Sequence, residues 1–146
     1  MDKTLKIAVA AVILVVIGCA AVLLTTHTTA APTTPSAFPV QQAAAPGNPT
    51  VYFFYGQECP HCANIEPLIT KLAQAYPDVG FQSLETWHNA TNADLMTQMD
   101  DQLNISKDER GVPEVIVSGN DTPLIGDRAI PAQLESAILA GLKKNP

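Results

Sequence analysis

The order of apolar and polar positions divides the chain into three stretches. Ile7 to Leu24 is eighteen residues without a charge, rich in Ala, Val, Ile and Leu. As a helix rising about 1.5 Å per residue it spans ~27 Å, enough for a hydrocarbon core of roughly 30 Å, and it reads as a transmembrane anchor over residues 1–24. Thr25 to Pro49 holds no Lys, Arg, Asp or Glu and has no apolar period that could bury a face. Its Thr, Ala and Pro content predicts a semi-extended linker. From residue 50 to 146 the pattern is that of a folded domain. Val51–Tyr55 is all β-branched or aromatic and predicts a buried strand. Ile65, Leu68, Ile69 and Leu72 recur at helical spacing and predict a helix over about Pro60–Tyr76. Pro77-Asp78 makes a turn, and Val79–Thr86 is the next strand, with Val79, Phe81 and Leu84 as its apolar members. Met96, Met99 and Leu103 give a second helix over Asn92–Asn104, with Thr91 as the candidate cap. A charged loop from Ser106 to Val112 follows. Val115–Val117 and Pro123–Ile125 then flank the Ser118-Gly119-Asn120-Asp121 turn as an antiparallel pair. The last helix is expected to start at Pro131, to pack Leu134 and Ile138, and to end near Gly141–Lys144 with Lys143 and Lys144 at its negative pole.

The candidate chemistry lies where the first strand of the domain meets its first helix. Behind Val51–Tyr55 come Gly56-Gln57-Glu58 and then Cys59-Pro60-His61-Cys62. Strand, short turn, Cys-x-x-Cys and helix together place a thiol at a helix N-terminus, where free backbone N–H groups and the positive end of the macrodipole favour a thiolate. Pro60 suits the first helical turn because the N–H it lacks would have had no partner there. Thiol–disulfide exchange needs an accessible thiolate and a second thiol near enough to resolve the mixed disulfide. Cys59, ahead of the helix, is the expected exposed nucleophile, and Cys62, one turn in, the expected shielded resolver. A static disulfide over so short a loop would add little stability. His61 is the expected tuning element. An imidazole beside Cys59 stabilises its thiolate, hence the reduced form, and makes the disulfide a better oxidant.

This constellation resembles the thioredoxin superfamily over about Asn48 to Pro146, and its Pro-His pair is similar to that of the Dsb-type periplasmic disulfide oxidases. Pro67 stands where many members carry a proline in the active-site helix. Gly111-Val112-Pro113 before Glu114-Val115-Ile116-Val117 is similar to the cis-proline that precedes the family's third core strand. The resemblance implies an α/β fold of the short, glutaredoxin-like kind, β-α-β-α-β-β-α, with the linker standing in place of the usual additional N-terminal strand and helix. It implies that Val112 and Pro113 lie beside the cysteines and offer an edge for a substrate strand. It also implies a glycine turn near the site, matched by Gly126-Asp127. Members commonly bury an acid behind the resolving cysteine. The opening strand here has none, which leaves Glu58 or water to take the Cys62 proton.

Charge and cysteine usage narrow the rest. The net charge is −6, and beyond residue 24, with Lys3, Lys6 and Asp2 set aside, six basic residues face thirteen acidic ones. That balance argues against nucleic acid as a partner. Three cysteines are too few for a disulfide-stapled miniprotein, and no second Cys-x-x-Cys completes a zinc site. No metal or cofactor is expected. The competing reading is an extracytoplasmic copper carrier, with Cys59, His61 and Cys62 joined by His88 or by Met96 and Met99 around Cu(I). The two methionines are more simply core residues. No Lys or Arg follows Lys6 until Lys71, so the positive-inside rule puts the N-terminus in the cytoplasm and the domain outside. A cleaved leader ending near Ala30, or a lipidated Cys19 in Val16-Ile17-Gly18-Cys19, leads to the same compartment. Asn89, Asn104 and Asn120 each open an Asn-x-Ser/Thr glycosylation sequon, which fits an extracytoplasmic surface. The expected activity is exchange of disulfides with protein thiols, as oxidase or isomerase rather than reductase. A membrane redox partner would recharge the site.

Overall fold

The computed structural model describes residues 40–120 and 122–144. The predicted anchor, with Cys19, and linker residues 25–39 lie outside the described residues. Among the described residues no helix is long and apolar enough to cross a membrane.

The elements are β1 (Gln41–Gln42), β2 (Thr50–Tyr55), α1 (Pro60–Ala75), β3 (Gly80–Glu85), α2 (Ala90–Gln102), β4 (Glu114–Val117), β5 (Leu124–Ile125) and α3 (Gly126–Lys144). They form one mixed sheet in the order β1-β3-β2-β4-β5. β2 runs parallel to β3 and antiparallel to β4, while β1 and β5 close the two sides antiparallel to β3 and β4. After Thr50 the central strand β2 is wholly β-branched or aromatic, because the sheet is covered on both faces. Val51 and Phe53 join Ile65, Ile69 and Leu72 of α1 and Ile130, Leu134 and Ile138 of α3 in the larger core cluster. Phe54, pointing the other way, packs with Ile116 and with Met96 of α2. Each of these strand residues is at most 3 % exposed, and at roughly 1.5–3 kcal/mol per buried large side chain this two-sided burial dominates the cohesion of the domain.

The expected β-α-β-α-β-β-α core is present, and four details differ from the sequence expectation. First, the end of the linker is structured. Val40 accepts from Ser83 N–H at 2.9 Å, β1 pairs with β3, and the Gln42 amide donates to the carbonyls of Tyr76 and Val79 at 2.9 and 2.7 Å. A strand of two glutamines has no apolar alternation to betray it. Second, Asn89, not Thr91, caps α2. Its Oδ1 accepts from Asn92 N–H at 3.2 Å, and Thr91 lies inside the helix. Third, α3 begins at Gly126, with Pro131 inside it. Pro131 is exposed, and its ring removes the N–H that would have bonded the carbonyl four residues earlier, at the very start of the helix. Fourth, Asn104 does not extend α2 but turns away with φ 57°, a left-handed conformation that asparagine tolerates.

Candidate functional site

Cys59 occupies the N-cap of α1 with extended backbone, and Pro60 follows in the first turn. Its Sγ accepts from the backbone N–H of Cys62 at 3.2 Å, satisfying one of the donors that a helix start leaves open. Cys59 and Cys62 are joined as a disulfide with Cα atoms 5.2 Å apart. Cys59 is not the exposed thiol expected from the sequence: both sulfur-bearing residues are buried, Cys59 at 6 % and Cys62 at 1 %, because the Val112–Pro113 segment packs over the helix tip, and Cys59 is only the less covered of the two. A sulfur at this position sits where amide dipoles converge, so negative charge on Cys59 is favoured over negative charge on Cys62.

Three other segments converge on it. The Val112–Pro113 peptide bond is cis, and the Val112 carbonyl oxygen lies 3.9 Å from Cys59 Sγ. The Pro113 carbonyl accepts from Gly126 N–H at 2.8 Å, and Gly126 has a φ of 88° that a side chain would disfavour. This bond sets the start of α3 beside α1, where Asp127 Oδ2 lies 2.6 Å from His61 Nδ1. The His61 hydrogen bond holds the Asp127 carboxyl below its ordinary range. On the remaining flank is the loop after β3. Glu85 is partly desolvated, which raises its pKa, but backbone N–H groups of His88, Trp87 and Gln57 outweigh that and hold it low. Those bonds measure 2.8, 2.8 and 3.3 Å, and they tie the turn before Cys59 to Trp87 and His88. Trp87 lies over Gly56 so closely that a Cβ there would overlap its ring. His88 Nε2 is 2.9 Å from Glu58, and that hydrogen bond raises its pKa.

The predicted residues Cys59, Pro60, His61, Cys62, Val112 and Pro113 therefore lie together. Glu58 is taken up by His88 at the surface. Glu66 stands one helical turn beyond Cys62, its carboxyl raised by partial burial. Met96 is buried and Met99 partly buried in the smaller core cluster, and among the described residues no three His, Cys, Asp or Glu side chains converge as a metal site. Sequence reasoning assigned no role to Asp127, to the Glu85 tie, or to the buried pair Asp100 and Glu114, which are 1 % and 0 % exposed. A lone charged residue carries no mark of its partner, and only the glycine before Asp127 hinted at proximity.

No family model and no curated protein matches the chain. Among solved structures it is similar to thioredoxin f from spinach chloroplast. The long form is 28 % identical with a TM-score of 0.51, over 71 % of this chain and 78 % of that one. The short form is 27 % identical with a TM-score of 0.51, over 74 % and 88 %. The fold is thioredoxin-like. The oxidized mitochondrial thioredoxin 3 from Saccharomyces cerevisiae is 24 % identical with a TM-score of 0.46, over 65 % and 80 %. A thioredoxin-like fold with a Cys59–Cys62 disulfide at the tip of α1 makes this chain a thiol–disulfide oxidoreductase.

Proposed function

We propose that the chain oxidises protein thiols to disulfides, or isomerises disulfides already formed, outside the cytoplasm, tethered by the apolar segment Ile7–Leu24. The observation that carries the chemical part is the position of Cys59, whose sulfur caps α1 while Cys62 is sealed behind it. A client thiolate attacks Cys59 Sγ and forms a mixed disulfide, and Cys62 leaves as thiolate. The client's second thiolate then attacks its own bridged sulfur and releases Cys59, which the helix tip stabilises as an anion. For isomerisation the reduced Cys59 attacks first and Cys62 closes the escape route. Pro60 shapes the first turn, His61 favours the thiolate, and Val112 with Pro113 presents backbone to the client strand. The direction rests on Pro60-His61: each pKa unit taken from Cys59 is about 1.4 kcal/mol, or roughly 30 mV toward the oxidising side. The compartment rests on the charge asymmetry around Ile7–Leu24 and on the sequons at Asn89, Asn104 and Asn120.

The test is a trapping experiment. Cys62→Ser accumulates mixed disulfides with client proteins, resolved by non-reducing electrophoresis, while Cys59→Ser does not. Equal trapping by both variants overturns the role assignment.

A further inference from the structure

His61 and Asp127 belong to different elements and meet only because the sheet brings the starts of α1 and α3 together. The ring is 66 % exposed, so its direction is set by its bond to Asp127 rather than by packing. Nδ1, the ring nitrogen nearer the backbone, faces the Asp127 carboxylate at 2.6 Å. His61 itself stands in the first turn of α1, two residues after Cys59 at the N-cap. In the structure Cys59 is in a disulfide and carries no charge, which leaves Asp127 as the anion paired with His61.

Resting on the oxidoreductase reading above, we propose that Asp127 is a positioning residue that competes with the Cys59 thiolate for His61 and thereby sets how oxidising the Cys59–Cys62 couple is. When a client dithiol is oxidised, two electrons enter the Cys59–Cys62 bond and break it while the client's sulfur–sulfur bond forms. Of the client's two protons, one ends on the Cys62 thiol and one goes to solvent, leaving Cys59 as thiolate. That new anion stands two residues from His61 and draws the Nδ1 proton donor away from Asp127. The bond lost at Asp127 offsets part of what the thiolate gains, so Asp127 favours the oxidised form and His61 the reduced one. Arg128 lies near enough to lower the Asp127 carboxyl further. The Glu58–His88 pair on the opposite flank is separately satisfied.

The experiment equilibrates the full-length chain with glutathione redox buffers as wild type, Asp127→Asn, His61→Ala and the double variant. Asp127→Asn is expected to raise the reduced-to-oxidised ratio at fixed buffer by about three- to tenfold, tenfold being about 30 mV, and to lower the pH at which Cys59 becomes alkylable. His61→Ala shifts both readouts the other way, and Asp127→Asn has no effect in the His61→Ala background. A shift of equal size in both backgrounds means the carboxylate acts directly on the sulfur and overturns the proposal. So does no shift, or a shift of the opposite sign, in the presence of His61. A wild-type disulfide that fails to equilibrate with glutathione overturns the oxidoreductase reading, and this proposal with it.

Discussion

Cys59 and Cys62 are three positions apart and chemically identical, and their places at the start of α1 make them different. One caps α1 and touches the Val112 carbonyl; the other is sealed within the first turn. That asymmetry was legible in the sequence, because the motif is contiguous and helix termini have fixed polarity. The contact between Gly56 and Trp87 was not legible, since it joins two segments through a pairing of β2 with β3. It yields a prediction at this scale. Gly56→Ala forces Trp87 off the turn that precedes Cys59, and overpacking of this kind costs about 1–3 kcal/mol. Trp87 is the sole tryptophan of the chain, so a changed emission maximum together with a lowered urea midpoint checks it. Unchanged emission would mean that the ring does not rest there.

Between elements, the least expected feature is the carboxyl pair that joins α2 to β4. Glu114 follows the cis-proline directly, and the strand's alternation turns it away from α1 and toward α2, where it meets Asp100. No N–H or O–H donor of another described residue reaches Glu114 Oε1 or Oε2, or Asp100 Oδ1. A proton held on Glu114 can bridge to Asp100, while Arg110 Nε stands 3.6 Å from Asp100 Oδ2. Burial first, then the bond to Asp100 and its charge, raises Glu114 to about 8 against the opposing pull of Arg110. The folded chain thus keeps a proton that the unfolded chain releases above its ordinary pKa of 4.5. Stability is therefore expected to fall as pH rises from about 4.5 to about 8, and to level off above that. Glu114→Gln, whose amide can donate to Asp100, flattens this slope and stabilises the fold above pH 8 by about 1–3 kcal/mol. Urea titrations between pH 5 and 9 measure both, and parallel slopes for the two proteins would refute the assignment. The strand reading took Glu114 as one more strand residue. Nothing in a single carboxylate announces that a second one faces it from a helix fourteen residues upstream.

For the molecule as a whole, the order of elements followed from periodicity because both faces of the sheet are covered and each helix shows one apolar stripe. What periodicity missed lies at the margins. Gln41–Gln42 pairs without any hydrophobic signal, and Pro131 drew the expected helix start five residues too far along, although α3 begins at Gly126. The membrane tether is the corresponding expectation at this scale. The full-length chain is expected to stay with the membrane pellet through an alkaline carbonate wash, while protease added to intact cells removes the domain from Val40 onward. Recovery of the full-length chain in the carbonate supernatant would refute the tether.

The outermost strands on either side, β1 and β5, are each two residues long. Borders that short give another copy of the chain little backbone to zip onto. A thiol–disulfide oxidoreductase built this way makes a poor template for strand-by-strand growth from either border of its sheet.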